Sequence, residues 1–517
     1  MRRIQIPGAG HFEIASPLSF TWPQVKSGIE SLLDGKVVGA FGVAVDTKPS
    51  AHSSSPAFQK IQVTDKFWAE GAAAGDLDRD GYNDVVAGPY WYAGPDFKKR
   101  YSIFPATQSF KVTSKDGVER TIEGYEGALG QKNGYSETSL VYTRDFNQDG
   151  WLDVMVIGFP GKEATWYENP GRDLVANTAQ WRPHIAYDVV TNESPGLVDL
   201  LGNGRPVLLC MTDNHIGYVA PDARNPQNQW TFHRVSGELP ILRDLRARLG
   251  KPFGYKPFPF VHGLGAGDVD GDGRQDVLEP DGWWQQPASL SGDPVWTFHK
   301  WPFLQDRSAF MAKLASTEPL AGDEMDTITK YSKWPYTMAG AQMYAYDVNG
   351  DGRPDVISSL DAHGYGLAWF EQVPSKSAQG EIQFKPHFIM PAGRDASASV
   401  NFTQLHAVDL VDMDGDGLKG IVTGKRFWAH GPDGPDPETN APAVLYWFKL
   451  TRIGDGRAEF VPHLIDDDSG VGTQVVATDV NKDGRPDVVV GSKKGVFVLL
   501  QKASSANRET MRTKRRP

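Results

Sequence analysis

Asp268, Asp270 and Asp272 put three carboxylates at alternate positions of the stretch GDVDGDGRQDVL (267–278), Gly273 permits a turn, and Asp276 returns a fourth. Carboxylates this close repel one another unless a cation neutralises them, and their oxygens suit a hard cation such as Ca²⁺. The pattern recurs. DLDRDGYND (76–84) offers Asp76, Asp78, Asp80 and Asp84, and DFNQDGWLD (145–153) offers Asp145, Asn147, Asp149 and Asp153. DVNGDGRPD (347–355) offers Asp347, Asn349, Asp351 and Asp355, and DVNKDGRPD (479–487) offers Asp479, Asn481, Asp483 and Asp487. DMDGDGLKG (412–420) keeps Asp412, Asp414 and Asp416 but has Gly420 in the last place, and DLLGNGRPV (199–207) keeps little beyond Asp199 and Asn203. Six of the seven loops are credible calcium sites, and the expected role is structural, each ion anchoring its own unit. Plain β-turns would use the same Asp, Asn and Gly residues.

The spacing resembles the first half of an EF-hand loop, but the closing acid falls at position 9 and the loop runs into an apolar strand instead of a helix.

A second constellation precedes the loops. Glu70, Glu193, His262 and His406 each stand six residues before the first aspartate of their loop, and Glu137 and Gln404 stand eight before theirs, which in a strand points the same way. If the loops all lie at one end of a barrel, these residues converge near the axis at the other. Such a ring can hold one catalytic divalent metal, Zn²⁺, Mn²⁺ or Mg²⁺, with a position left open for water or a substrate hydroxyl. The same residues would also suit a wet channel that hydrogen-bonds only to water. His215 in TDNHIGY and His363 in LDAHGYG follow the second strand of their units, in turns that open on the same face.

Long connections are expected there too, at 101–136, 236–260 and 302–338. They carry Arg243, Arg246, Tyr255, Trp334 and Tyr336, the candidate ligand contacts beside Gln404. Long connections on one face commonly build a lid or pocket wall.

The elements that would position these groups form a four-part cycle. A Gly/Ala-rich strand enters each acidic loop, a strand such as DVVAG (84–88) leaves it, an aromatic strand such as TWYEN (165–169) or LYWF (445–448) follows, and a fourth segment closes the unit. The fourth segments place His184, His233, His299, His387 and His463 three residues after an aromatic, a repetition that marks packing rather than catalysis. Successive first aspartates lie 54 to 79 residues apart, which fits propeller blades with inserted loops. The last unit lacks a fourth strand, and FQKIQV (58–63) resembles the missing piece. The expected fold is therefore all-β: a seven-bladed β-propeller of four-stranded blades over 56–501, closed by an N-terminal strand completing the C-terminal blade, with an extension at 1–55 and a basic disordered tail at 502–517.

These units resemble the FG-GAP or VCBS repeats of integrin α-subunit heads and of many exported bacterial proteins. The resemblance implies a calcium-loop propeller but no single function, because such propellers include adhesins, scaffolds, sugar binders and enzymes. The chain is also distantly similar to the propeller part of aldos-2-ulose dehydratases, which implies a metal-dependent lyase acting on an oxidised keto-sugar. In that reading His262, His406 and one or two of Glu70, Glu137 and Glu193 hold the metal, and a glutamate left free or a loop histidine is the base.

The 53 basic and 64 acidic residues give a formal charge of −11, and the seven loops hold 21 of those acids. Six Ca²⁺ would cancel that excess, so the acidity implies no basic partner. No basic stripe points to nucleic acid. Cys210 stands alone, which excludes a disulfide framework. Open surface calcium sites fill where calcium is plentiful, so export to the periplasm or outside is expected, although no clear signal peptide is present and no apolar run is long enough to span a bilayer. Three functions follow for the far mouth of the channel: binding of a carbohydrate or other polar ligand, metal-dependent elimination on a keto-sugar, or docking of a protein.

Overall fold

The computed structural model describes residues 56–107, 109–113, 119–123, 134–173, 180–237, 261–304, 340–374, 381–434 and 436–503. Arg243, Arg246, Tyr255, Trp334 and Tyr336 lie outside the described residues, as do the extension at 1–55 and 504–517 of the tail expected at 502–517, whose first residue, Lys502, instead ends the last strand.

Strand β1 (Ala57–Thr64) comes first. One sheet follows from β2 (Ala73–Gly75), β3 (Asp84–Ala87), β4 (Tyr90–Tyr92) and β5 (Arg100–Ser102), and a separate two-stranded ribbon from β6 (Ser109–Thr113) and β7 (Glu119–Glu123). The next sheets are β8 (Leu140–Arg144), β9 (Asp153–Ile157), β10 (Lys162–Glu168) and β11 (Arg182–Val190), then β12 (Gly196–Val198), β13 (Val207–Thr212), β14 (His215–Ala220) and β15 (Thr231–Arg234). Strands β16 (Leu264–Gly267), β17 (Asp276–Glu279), β18 (Gly282–Gln285) and β19 (Thr297–Lys300) are joined to β20 (Gln342–Tyr346), β21 (Asp355–Ser359), β22 (Leu367–Val373) and β23 (Gln383–Met390) in one eight-stranded sheet, because β16 and β20 pair in parallel. A further sheet holds β24 (Val408–Val411), β25 (Gly420–Gly424), β26 (Leu445–Gly454) and β27 (Arg457–Asp466). In the last, β28 (Val475–Thr478), β29 (Asp487–Ser492) and β30 (Gly495–Lys502) are completed by β1, which runs antiparallel to β30. Among the described residues the fold is thus all-β in a β-propeller arrangement, with five separate four-stranded blades and one eight-stranded sheet. The expected insertion at 101–136 starts two residues too early, since Tyr101 and Ser102 belong to β5.

Each acidic loop folds by its own turn chemistry. In the loop at 268–276 the Asp268 carboxylate accepts from the backbone N–H groups of Gly271, Asp272 and Gly273, and Asp272 accepts from Arg274 N–H. The closing aspartates do a second job. Asp84, Asp153, Asp276, Asp355 and Asp487 are fully buried. In each, one oxygen accepts from the second residue of the loop (Leu77, Phe146, Val269, Val348, Val480). The other oxygen accepts from the end of the third strand or just beyond it (Gly94, Asn169, Gln286, Gln372, Gln501). This latch satisfies buried N–H groups and ties each loop to its own blade. It explains why the acid recurs immediately before a Val-rich buried strand.

The apolar cores lie between neighbouring sheets. Leu140, Met155 and Trp166 pack against Leu208, Cys210 and Trp230 of the next sheet, and Val277 and Trp284 pack against Leu209, Met211 and Tyr218. The recurring histidines stack on third-strand aromatics: His184 on Trp166 at 4.3 Å, His299 on Trp283 at 4.2 Å and His387 on Trp369 at 4.3 Å.

Candidate metal centre

His262 stands two residues ahead of β16, His406 two residues ahead of β24, and His363 in the turn from β21 to β22. Three segments distant in sequence therefore deliver three imidazoles, all buried, with one ring nitrogen of each within 4.8 Å of the others. The ring centroids lie 5.1 Å (His262–His363), 5.2 Å (His262–His406) and 4.5 Å (His363–His406) apart, and the planes are near perpendicular at 81°, 74° and 85°.

Among the described residues both nitrogens of His262 and both of His406 lack a hydrogen-bond partner. Glu193 Oε2 approaches His262 Nε2 at 3.2 Å, but out of line for a hydrogen bond. A buried polar atom left unpaired costs about 1–3 kcal/mol, so the cluster favours an occupant that its nitrogens can bind, a metal ion or water. Burial pushes the pKa of His363 down to about 4 and that of His406 well below its ordinary value. Neutral imidazoles are the form that binds a metal, and they do so without proton competition near neutral pH.

His363 is oriented from behind. Its Nδ1 lies 3.1 Å from Asp436 Oδ1, and Asp436 Oδ2 lies 2.8 Å from His430 Nδ1. Burial pushes the Asp436 pKa up, but the hydrogen bonds from the two histidines outweigh it and hold this carboxylate well below its usual range.

Beside the imidazoles lies a cleft lined by Glu70, Glu193, Arg426, Tyr135, Ser136 and Phe159. Arg426 Nε donates to Glu70 Oε2 at 2.6 Å and its NH1 donates to Glu193 Oε2 at 3.3 Å. Burial alone would lower the Arg426 pKa, and the two carboxylates more than reverse this. Burial works against ionised Glu193 as well, yet His262 and Arg426 hold its pKa far down. Among the described residues Glu70 Oε1 has no hydrogen-bond partner, and Lys493 Nζ, 3.9 Å away, instead donates to the carbonyls of Trp428 and Ala429.

The expected ring is thus only partly assembled. His262, His406 and His363 meet, and Glu193 adjoins them. Glu70 is held on Arg426 one step away. Glu137 is exposed and accepts from Thr107 Oγ1, because it precedes β8 in a turn instead of lying in the strand. His215 is half-buried at the start of β14, with Nδ1 on the Asp213 carbonyl, apart from the cluster. Gln404 is buried at φ +66°, and this left-handed backbone turns its amide toward Lys425 and the Arg426 carbonyl. Sequence reasoning missed Arg426, His430, Asp436 and Lys493. The first three lie in the connection from β25 to β26, twenty residues (425–444) where a hairpin loop usually takes two to five. That length was the available signal.

At the other end, Asp76, Asp78 and Asp80 form a group of carboxylates that could hold an ion, as do Asp268, Asp270 and Asp276, and Asp412, Asp414 and Asp416. The last group already has a counter-charge: Lys449 Nζ donates to Asp414 and, at 2.7 Å, to Asp416. Asp272, Asp351 and Asp483 each accept from an arginine two residues on. Among the described residues no helix is long and apolar enough to cross a membrane.

Residues 471–498 match the FG-GAP repeat family model. Over 242 residues, 41% of this chain, the sequence is 24% identical to phosphatidylinositol-glycan-specific phospholipase D of Bos taurus, and the match spans 26% of that protein's length. An Agrocybe aegerita lectin that recognises non-reducing terminal N-acetylglucosamine is similar at 14% identity and a TM-score of 0.35, over 86% of each chain. A Bacillus licheniformis rhamnogalacturonan lyase is similar at 13% identity and a TM-score of 0.32, over 86% of this chain and 74% of that one.

Proposed function

We propose that this chain is an exported, calcium-stabilised propeller that holds one divalent transition metal, Zn²⁺ or Mn²⁺, on His262, His363 and His406, and eliminates water from an oxidised (keto) sugar at that mouth. The observation that carries the reading is the three converging buried imidazoles, with both nitrogens of His406 and Nδ1 of His262 left without a partner among the described residues. A bare carbohydrate binder needs polarity there but no such convergence, and a protein scaffold needs neither. In the same reading the eight-stranded sheet counts as two blades, which gives seven, and the pairing of β1 with β30 closes the ring.

A bound divalent metal would supply Lewis-acid polarisation of the sugar carbonyl. The chain supplies the rest. Glu70 Oε1, on the cleft wall, takes the proton from the carbon next to the carbonyl. The electron pair forms the carbon–carbon double bond, and the hydroxyl on the next carbon leaves as water, taking up the proton that Glu70 removed and returning Glu70 to its ionised form. Arg426 holds Glu70 by its other oxygen, so the base keeps its place. Tyr135 and Phe159, 5.0 Å apart, add aromatic rings to the cleft lining, where the apolar side of a sugar would pack.

The test is the metal content of the purified protein by mass spectrometry, before and after dialysis against a calcium chelator, with a His262→Ala, His406→Ala double variant beside it. About one transition metal per chain that survives dialysis in the parent and vanishes in the variant is the expected result. Keto-sugars are then screened for the ultraviolet absorbance of the conjugated product. Calcium alone, equal in both proteins, would overturn the metalloenzyme and leave a carbohydrate-binding mouth.

A further inference from the structure

We infer that Asp436 is the positioning residue of the proposed metal centre, setting through one carboxylate the tautomer and orientation of His363; this rests on the metal reading above. Asp436 is buried and lies in the β25–β26 connection, while His363 lies in the β21–β22 turn of the neighbouring sheet. An ionised carboxylate only accepts, so at 3.1 Å the His363 Nδ1 must carry the proton and donate it to Asp436 Oδ1. That leaves Nε2, with its lone pair, as the nitrogen His363 can offer to a metal shared with His262 and His406. Among the described residues His406 has no partner on either nitrogen, and His262 has only the out-of-line Glu193 carboxylate at 3.2 Å, whereas His363 makes a hydrogen bond to a carboxylate that fixes its tautomer. A carboxylate behind a ligating imidazole raises its basicity and fixes its ring plane, and its loss commonly costs 10- to 100-fold in metal affinity.

His430 shares this carboxylate. Its Nδ1 is 2.8 Å from Asp436 Oδ2, and its ring stacks on His363 at 4.6 Å and 24°. The second hydrogen bond steadies the carboxylate and the stack limits ring rotation, but only Asp436 touches His363 Nδ1.

The experiment measures zinc affinity by competition with a chromophoric chelator in the full-length calcium-loaded protein, comparing parent, Asp436→Asn, Asp436→Glu and His430→Gln, each checked by near-ultraviolet circular dichroism. Asp436→Asn is expected to weaken zinc binding about 10- to 100-fold. Asp436→Glu keeps the charge but moves the oxygens by one methylene, so it is expected to weaken binding as well; His430→Gln, which loses the stack but leaves the Asp436 contact to His363, is expected to weaken it several-fold less than Asp436→Asn. With cobalt in place of zinc, the visible absorption band of Asp436→Asn is expected to shift as the His363 ligand reorients. Parental affinity in both Asp436 variants would overturn the inference, and so would an equal loss in His430→Gln, which would reduce Asp436 to local packing. A parent that binds no zinc would instead sink the metal reading, a result distinguishable from either of these.

Discussion

Arg426 donates from Nε to Glu70 Oε2 at 2.6 Å across 356 residues of sequence, joining the connection after β25 to the segment just before β2. The same guanidinium reaches Glu193, so one buried cation offsets two buried carboxylates, with Lys493 near the first. Removing one partner of a buried ion pair costs more than the pair contributes, because the desolvated charge left behind has no compensation. Arg426→Met is therefore expected to destabilise the fold by about 3–5 kcal/mol, read from urea unfolding midpoints at constant slope, and adding Glu70→Gln should recover part of that loss. A cost below about 1 kcal/mol would mean that water reaches these carboxylates freely.

Asp409 gives a pH dependence of opposite sense to the usual carboxylate. It accepts from the N–H groups of Ala477 and Leu410, yet burial pushes its pKa up from 3.8 to about 6, against those bonds and Lys419. A native pKa above the unfolded one means that the native state binds the extra proton. The associated stability is fully present below about pH 4 and is lost as pH rises to about 6. Asp409→Asn keeps an acceptor for Ala477 and removes the charge. Its advantage over the parent should be about 1–2 kcal/mol at pH 8 and should vanish near pH 4, as followed by thermal unfolding. An advantage that does not change with pH would refute the assignment.

Gly265 is where β16 and β20 meet. A Cβ there would stand 1.9 Å from the Met343 carbonyl oxygen, and both atoms belong to backbone that pairs in parallel. Gly265→Ala must push the two strands apart, with an expected cost of about 3 kcal/mol. Gly196→Ala, at the start of the equivalent inner strand β12, meets only a Val198 methyl at 3.4 Å and serves as the control. Equal melting temperatures for the two variants would show that the pairing is loose.

Much of this was legible because it is local. The alternation of acids, the turn-forming glycines and the Val-rich exit strands are set within a dozen residues, and counting back from each first aspartate found His262, His406, Glu70 and Glu193. Counting could not say which would meet. The same offset of six brings two of them into the imidazole cluster and leaves Glu70 on Arg426, because each segment ahead of its inner strand bends differently. Gln404, at φ +66°, shows the limit: a left-handed residue breaks the period of two on which the count relies. Arg426, His430 and Asp436 sit in a connection with no counterpart in the other units, so no repetition exposed them.

The loop at 412–420 ends in Gly420 where most of the others have the latch aspartate, and the strand beyond it explains the change. A Cβ at Gly420 would meet Trp447 Nε1 at 2.3 Å, so the indole occupies the latch position. Two residues further along β26, Lys449 places its ammonium on Asp414 and Asp416. Burial lowers the Lys449 pKa, but the two carboxylates outweigh it and raise it, and Asp416 is lowered by the same contact. The amine thus supplies the positive charge that a cation would bring, and this loop should take up calcium poorly while Lys449 is present. In the loop at 268–276 the corresponding third-strand residue is Gln285, whose Nε2 donates to Asp270 at 2.5 Å and adds no charge. Lys449→Gln imports that arrangement, and native mass spectrometry in millimolar calcium should then show one more bound ion than in the parent. An unchanged count, with the parent already holding six, would mean that calcium displaces the lysine and that the contact exists only in its absence.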